Sequence, residues 1–386
     1  MKPIGLAAVF LGMLAGTAGA VESAAAPADS TNGWGYGYDS LLRDLGEWKK
    51  SPFVKIDSIG ASVQGRALWM VSITGEGDSV GRPAEFKTRK QRVFIHARTH
   101  PSEVQAHYVA NESIRFLLAD NDTAKSLRRD FIFNFIPMYN PDGVVLGKAR
   151  QNAHNVDIES NWDASPMEPE PAALKKTFQA YMAGPTPIEV ALNLHSDQFN
   201  CTRFFFFHYA AGTSQAYTEL EKNFIGGVQA RFPGGIKNWD FVQSWANGTV
   251  THYPEGFWWV NHKEKVLALT YEDTNCPNAG RYDSTGMALA LGSADFLRSH
   301  PIAGIFGRLA ALGRLELMAE GVRVPMGSGA ATWDVLDARG RRLAGGSLGA
   351  HETLLPWKAM PAAPMRVLKV SRIGRTGMSL ILPNSP

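Results

Sequence analysis

Four side chains stand where apolar runs of this sequence end. His100 and Glu103 follow the run Val93 to His96, His195 follows Glu189 to Leu194, and Glu272 follows Val266 to Tyr271. In open α/β sheets ligands collect beyond the carboxyl ends of the strands, so these four can converge on one crevice. Two imidazoles and one carboxylate make a three-ligand zinc set with a fourth position left for water. His100 and Glu103 are close enough in sequence to chelate one ion, whereas His195 joins them only through folding. A single H-x-x-E is a weak signal in a chain with ten histidines. His96 is the rival ligand, but the residue three later is Thr99, which cannot bind metal as a carboxylate would. His107, one turn past Glu103, reads as a packed or surface imidazole. His154, His208, His252 and His262 have no ligand-like spacing and read as structural.

The elements that must position these residues are visible in the hydrophobic pattern. Tyr38 to Lys50 carries Leu41, Leu42, Leu45 and Trp48 at helical spacing. Lys55 to Gly60 and Ala67 to Thr74, with Gln64-Gly65 between them, read as a β-hairpin. The short strand Val93 to His96 stops at Ala97-Arg98-Thr99-His100. Pro101 then fits the first position of a helix running to about Ala119, with Glu103 in its first turn. Phe131 to Met138 is a strand ending at the turn sequence Asn140-Pro141-Asp142-Gly143. A helix from Ala172 to Met182 leads into the strand that ends at His195, and Ser284 to Arg298 is a further helix. This alternation predicts an α/β fold, a mixed twisted sheet with helices on both faces. From about Gly313 the character changes to short alternating segments separated by Gly and Pro turns, which predicts a small C-terminal all-β sandwich.

Length and composition agree with that organisation. At 386 residues the chain exceeds one usual core, so a large domain with a smaller appendage is expected. The 45% hydrophobic and 19% charged content excludes a disordered or collagen-like chain. Thirty-nine basic against 36 acidic residues give only +3, and the densest basic stretch, Lys87 to Arg92, is short, so no nucleic-acid partner is expected. Lys2, the apolar run Ile4 to Met13 and the small residues Ala18-Gly19-Ala20 read as a signal peptide over residues 1–20. A leader over 21–32, a catalytic domain over 33–303 and the β module over 312–386 complete the expected organisation. The chain is therefore expected to be exported, periplasmic or extracellular, with no membrane span. Of the sequons at Asn111, Asn121, Asn200 and Asn247, the one at Asn200 falls close to the expected site, where a glycan would obstruct, which favours bacterial export.

Four runs in consistent order resemble the zinc metallocarboxypeptidases: Ala97 to Glu103, Pro137 to Val144, Asn193 to Ser196 and Leu269 to Thr274. They look most like the branch that includes the cytosolic carboxypeptidases, with its His-Pro-x-Glu ligand pair. Ser58 to Arg66 is similar to the segment that precedes the metal-binding strand in that family. The resemblance spans roughly Tyr36 to Arg298 and leaves out the C-terminal module. It implies a peptide or peptide-like substrate and one Zn2+ per chain held by His100, Glu103 and His195. It also implies Glu272 as general base, Arg150 polarising the scissile carbonyl, and Tyr253 capping the substrate.

One stretch departs from the family. Where an Asn-Arg pair usually stands, this chain has Glu159-Ser160, and Ser160 cannot reproduce bidentate carboxylate recognition by arginine. Ser160 thus sits where a substrate contact is expected, and Glu159 would repel an α-carboxylate if it faced the pocket. This points to altered specificity for a basic or blocked end group. A zinc amidase or deacylase on the same fold and a non-catalytic peptide-binding relative are the alternatives; retention of the full quartet argues against the latter. Cys201 closely follows the strand of His195 and Cys276 the strand of Glu272, so neighbouring strands would let an oxidising compartment join them. Gly77-Asp78-Ser79-Val80-Gly81 matches G-x-S-x-G, but Arg82-Pro83 and a charged stretch follow it, which reads as a loop rather than a nucleophile elbow entering a helix.

Overall fold

The computed structural model describes residues 35–75 and 90–299, and beyond them the strand segments 316–318, 321–323, 331–337, 342–348, 354–356, 366–372 and 375–382. The expected signal peptide, the leader and the G-x-S-x-G stretch at 77–81 lie outside the described residues.

The core element is an eight-stranded mixed sheet. In chain order its strands are β1 (Val54–Ala61), β2 (Ala67–Ile73), β3 (Gln91–Ala97), β4 (Phe131–Ile136), β5 (Ile188–Asp197), β6 (Phe204–His208), β7 (Val242–Ser244) and β8 (Leu267–Thr274). Their spatial order is β1-β2-β4-β3-β5-β8-β6-β7. The central run β4, β3, β5, β8 is parallel, and β1, β2 and β6 join antiparallel. Strands buried on both faces need apolar residues at successive positions, which is what β3 and β5 carry.

Helices cover both faces. The helices in chain order are α1 (Tyr38–Trp48), α2 (Val104–Leu118), α3 (Asp122–Asp130), α4 (Pro141–Val145), α5 (Pro169–Ala183), α6 (Gln215–Arg231), α7 (Pro254–His262) and α8 (Tyr282–Ser299). On one face Val93, Ile95, Val190, Leu192, Leu267 and Leu269 pack with residues of α2, α6 and α8. On the other, Phe94, Ala191 and Ala268 pack with Leu174 and Phe178 of α5 and with Phe257 and Trp258 of α7. The alternation along each strand is the period-2 geometry of the pleat. Helices α2 and α8 touch through Gly286, whose added Cβ would stand 2.6 Å from the Ser113 amide nitrogen. Only glycine permits that approach.

Three details differ from the sequence expectation. Helix α2 begins at Val104 rather than at Pro101, and Glu103 is its N-cap residue. The chain instead turns at His100 to Ser102, where Glu103 N–H donates to His100 O and Val104 N–H to Ser102 O. Helices α3, α6 and α7 and strands β6 and β7 are additional to the elements read from the pattern, and the turn read at Asn140 to Gly143 opens the short helix α4. Two of the additional helices open on side-chain caps, Asn121 accepting from Ala124 N–H and Ser214 from Tyr217 N–H.

The C-terminal segments form two antiparallel sheets, one of three strands and one of four, as the all-β expectation requires. Trp333 and Val335 are buried on the strand Ala331–Asp337. Among the described residues no helix is long and apolar enough to cross a membrane.

Candidate active site

The parallel register sets the site. His195 of β5 is the direct partner of Glu272 of β8, and Ala97 of β3 pairs with Leu194 one residue earlier. The ends of three adjacent strands therefore deliver His100, His195 and Glu272 to one place. Beyond β3 the chain reverses sharply, with Arg98 in the left-handed region at φ 62. For a residue with a Cβ that conformation costs roughly 1–2 kcal/mol, and it is held here because Arg98 is fully buried and its Nε donates to Pro101 O at 2.7 Å. The neighbouring α4 turn packs against the same reversal: a Cβ on Gly143 would fall 2.4 Å from Pro101 Cγ. Asp142 of that turn accepts from Ser62 Oγ and Gln64 N–H and pairs with Arg66, which ties the β1–β2 hairpin to the site.

Among the described residues, His100, Glu103 and His195 form the one cluster with metal-ligating atoms all within 4.8 Å of one another. His100 Nδ1 lies 2.7 Å from Glu103 Oε1, and His195 Nδ1 lies 2.8 Å from Glu103 Oε2 and 3.1 Å from His100 Nδ1. Two imidazole nitrogens facing each other beside a carboxylate form the donor set of a divalent cation, so these residues fit zinc. The far side of each ring is backed by an acid. Asp157 Oδ1 is 3.2 Å from His100 Nε2, and Glu159 Oε2 is 3.3 Å from His195 Nε2. Carboxylates behind ligating histidines fix ring orientation and raise ligand basicity.

The electrostatics follow from burial and charge. Burial pulls both imidazoles down, but hydrogen bonds donated to Asp157 and Glu103 carry His100 above its ordinary value, and the charges of Glu159 and Glu103 carry His195 well above. Burial would push Glu103 up, yet the His195 and His100 imidazoles hold it far below the carboxylate range. Glu272 shows the opposite balance: burial drives its carboxyl well above the usual range, His195 opposes, and Glu103, Asp197 and Glu159 add to the rise. Its Oε2 is buried and accepts no hydrogen bond.

These residues open onto one cavity of about 450 Å³, also lined by Arg150, Glu159, Tyr253, Glu255, His208, Ser244, Trp245 and Thr270. Arg150 is half-exposed, and its Nε donates to Asp157 Oδ2 at 2.6 Å. Tyr253 caps the start of α7 beside the cavity. Ser160, expected among the substrate contacts, is exposed and does not line the cavity. It shares the 3-10 turn Ile158–Ser160 with Glu159, and successive side chains of such a turn face different ways, so Glu159 occupies the wall instead. His208, read as structural, pairs with Glu221 at 2.6 Å yet also lines the cavity. Asp157 and Glu255 had no distinctive spacing; the one signal was that each opens an element, Asp157 capping the 3-10 turn and Glu255 following Pro254.

Cys201 and Cys276, on loops after β5 and β8, are joined as a disulfide with Cα atoms 5.4 Å apart. The loop they brace follows directly on His195 and Glu272, so the link holds the two strand ends together.

Comparison with known proteins places this geometry. The worm Caenorhabditis elegans has a cytosolic carboxypeptidase 6 that is 32% identical over 171 residues, covering 43% of this chain and 36% of the relative. The human cytosolic carboxypeptidase 6 is 34% identical over 143 residues, covering 36% of this chain and 27% of the relative. The matched part thus spans well under half of either relative. A metallo-carboxypeptidase structure from Burkholderia cenocepacia shares the fold at a TM-score of 0.57 and 20% identity, covering 68% of this chain and 70% of that one. The family model described as zinc carboxypeptidase, peptidase M14, matches residues 41–272, from within α1 to Glu272 in β8. The chain belongs to the zinc carboxypeptidase family.

Proposed function

We propose that this chain is a zinc-dependent metallocarboxypeptidase that hydrolyses a peptide bond at or near a C-terminus, with residues 33–303 as its catalytic unit and 312–386 as a separate β module. His100, Glu103 and His195 would hold zinc, one ion per chain, which would supply Lewis-acid chemistry to the attacking water and the scissile carbonyl. Glu272 is the general base: its carboxylate takes the proton of the attacking water and returns it to the leaving nitrogen. Burial suits it to that exchange, because a carboxyl raised above its usual range holds a proton more readily than an exposed carboxylate does. The Arg150 guanidinium, anchored through Nε on Asp157, offers its remaining N–H groups to the developing oxyanion. Asp157 and Glu159 hold the two imidazoles in orientation, and Tyr253 covers bound substrate.

The observation that carries this reading is the β5–β8 register, which sets Glu272 beside His195 at the wall of one cavity. Exposure of a mixed peptide library to the zinc-loaded chain, read by mass spectrometry, is expected to show C-terminal trimming that Glu272→Gln abolishes. Peptides left intact by wild type, or trimmed equally by Glu272→Gln, would contradict it. An amidase acting without a free carboxylate is the second reading, favoured by the absence of a cation at the Glu159-Ser160 turn. We infer also that the chain is exported and works in an oxidising compartment, supported by the Cys201–Cys276 link and the pattern of residues 1–20. Two free thiols in denatured, unreduced protein would refute that placement.

A further inference from the structure

The inner end of the cavity is built from Glu159, which also backs the His195 ring, and from Glu255, which the proposed hydrolysis leaves unused. Glu159 and Glu255 are only 6% and 5% exposed, yet both line the cavity. They share one amide: Asn193 Nδ2 donates to Glu159 Oε1 at 2.9 Å and reaches Glu255 Oε1 at 3.5 Å. Thr270 Oγ1 donates to Glu255 Oε1 at 2.7 Å. Among the described residues neither acid forms an ion pair with a lysine or arginine. Arg150 is the single lysine or arginine among the lining residues, and its Nε is engaged by Asp157. Glu159 Oε2 lies 3.3 Å from His195 Nε2, but that imidazole is neutral when its other nitrogen holds a metal, so it orients beside the carboxylate without offsetting its charge. His208, the remaining lining imidazole on this side, is paired through Nδ1 with the buried Glu221.

Two buried carboxylates bridged by a neutral amide repel each other across a low-dielectric wall. Leaving such charge unpaired is costly, and a cation arriving with a ligand removes the cost. The other lining residues match the rest of such a ligand. Trp245, Phe206 and Val250 offer apolar surface to an aliphatic stem, the aromatic faces also attract a cation, and Ser244 adds a hydroxyl acceptor.

Resting on the hydrolytic reading of the same cavity, we propose that its inner end is a cation subsite: Glu159 and Glu255 bind an ammonium or guanidinium carried on the flexible side chain of the residue beyond the scissile bond. The proposal takes the acid at position 159 as a selecting group, which turns the specificity of the cleft toward basic residues.

The test uses the zinc-loaded full chain carrying Glu272→Gln, which holds peptide without turnover, and N-acetylated tripeptides ending in lysine, arginine, norleucine or glutamate. Norleucine keeps the stem of lysine and lacks its charge. Calorimetry is expected to show lysine or arginine peptides binding ~10–100-fold tighter than the norleucine peptide, as charge-assisted hydrogen bonds in a buried site would give. Adding Glu255→Gln is expected to bring that ratio close to one, and Glu255→Asp to restore part of it. Equal or tighter binding of the norleucine peptide overturns the subsite, and this comparison needs no change at Glu159 or Glu255 that could disturb folding. A ratio that survives Glu255→Gln also overturns it. Wild type that hydrolyses none of these peptides, while the Glu272→Gln protein still prefers lysine over norleucine, would sink the proposed activity and leave the subsite standing. Hydrolysis without preference would do the reverse.

Discussion

At the metal end of the cleft two acids, Glu103 and Asp157, each face two bases. Glu103 lies between His100 and His195, and Asp157 takes one contact from His100 and one from Arg150. At the inner end, Glu159 and Glu255 face each other across the Asn193 amide. The same side-chain type is thus held far below its usual range at Glu103 and raised at Glu255, where burial and then the charge of Glu159 oppose ionisation. The contrast separates what the chain completes for itself from what it leaves for a ligand. The metal end presents the donor set of a divalent ion, and the inner end presents two carboxylates suited to a cation of organic size.

Variants can sharpen that contrast or break it, starting with those of largest expected effect. Glu272→Gln is expected to lower kcat by ~10²–10⁴-fold with zinc retained, because it removes the base and no ligand. Steady-state kinetics beside elemental analysis checks both parts, and zinc loss together with activity would make Glu272 part of the ligand set. Arg150→Ala is expected to cost ~10²–10³-fold in kcat with KM changed far less, the signature of a group that acts on developing charge. Cys276→Ser opens a link between residues 75 apart and is expected to cost about 2–4 kcal/mol in urea unfolding. Asp157→Asn weakens the support of His100, so zinc affinity measured against a competing chelator is expected to fall ~10–100-fold. An unchanged affinity would show that the carboxylate behind His100 serves only Arg150.

A pH-dependent effect comes from buried imidazoles outside the metal cluster. Burial holds His96 and His107 down at about 3, although they flank the ligand pair in sequence. Unfolded chain takes up these protons near pH 6.5, and the folded protein does so only near 3, so the unfolded state binds more protons in between. Stability is therefore expected to fall as pH drops from about 6.5 toward 3, by about 1.4 kcal/mol per pH unit for each ring. Urea midpoints of wild type and His96→Leu across that window should differ in slope by one proton.

How much of this was legible follows from what kind of signal each residue carried. Strands β3, β5 and β8 announced themselves because buried parallel strands require apolar runs, and a polar residue at the end of such a run stands out. Glu103 was legible as a ligand but not as a helix cap, since its side chain turns toward the imidazoles instead of the first turn of α2. Glu159 was visible only as a departure from a family pattern, and which of Glu159 and Ser160 faces the cavity depended on a three-residue turn. Glu255 carried only its place after Pro254 at the start of α7, and His208 carried no local signal. Each matters because β6 and α7 bring it to the cavity of β5 and β8, and that pairing is set by contacts distant in sequence.

The central claim is that His100, Glu103 and His195 hold a metal which Glu272 serves without binding. Zinc content by elemental analysis after dialysis, on wild type, His100→Ala and Glu272→Gln supplied with equal zinc, tests it most directly. The account predicts one zinc per chain in wild type and in Glu272→Gln, and none in His100→Ala. Wild type without zinc, or His100→Ala that keeps it, would contradict the account.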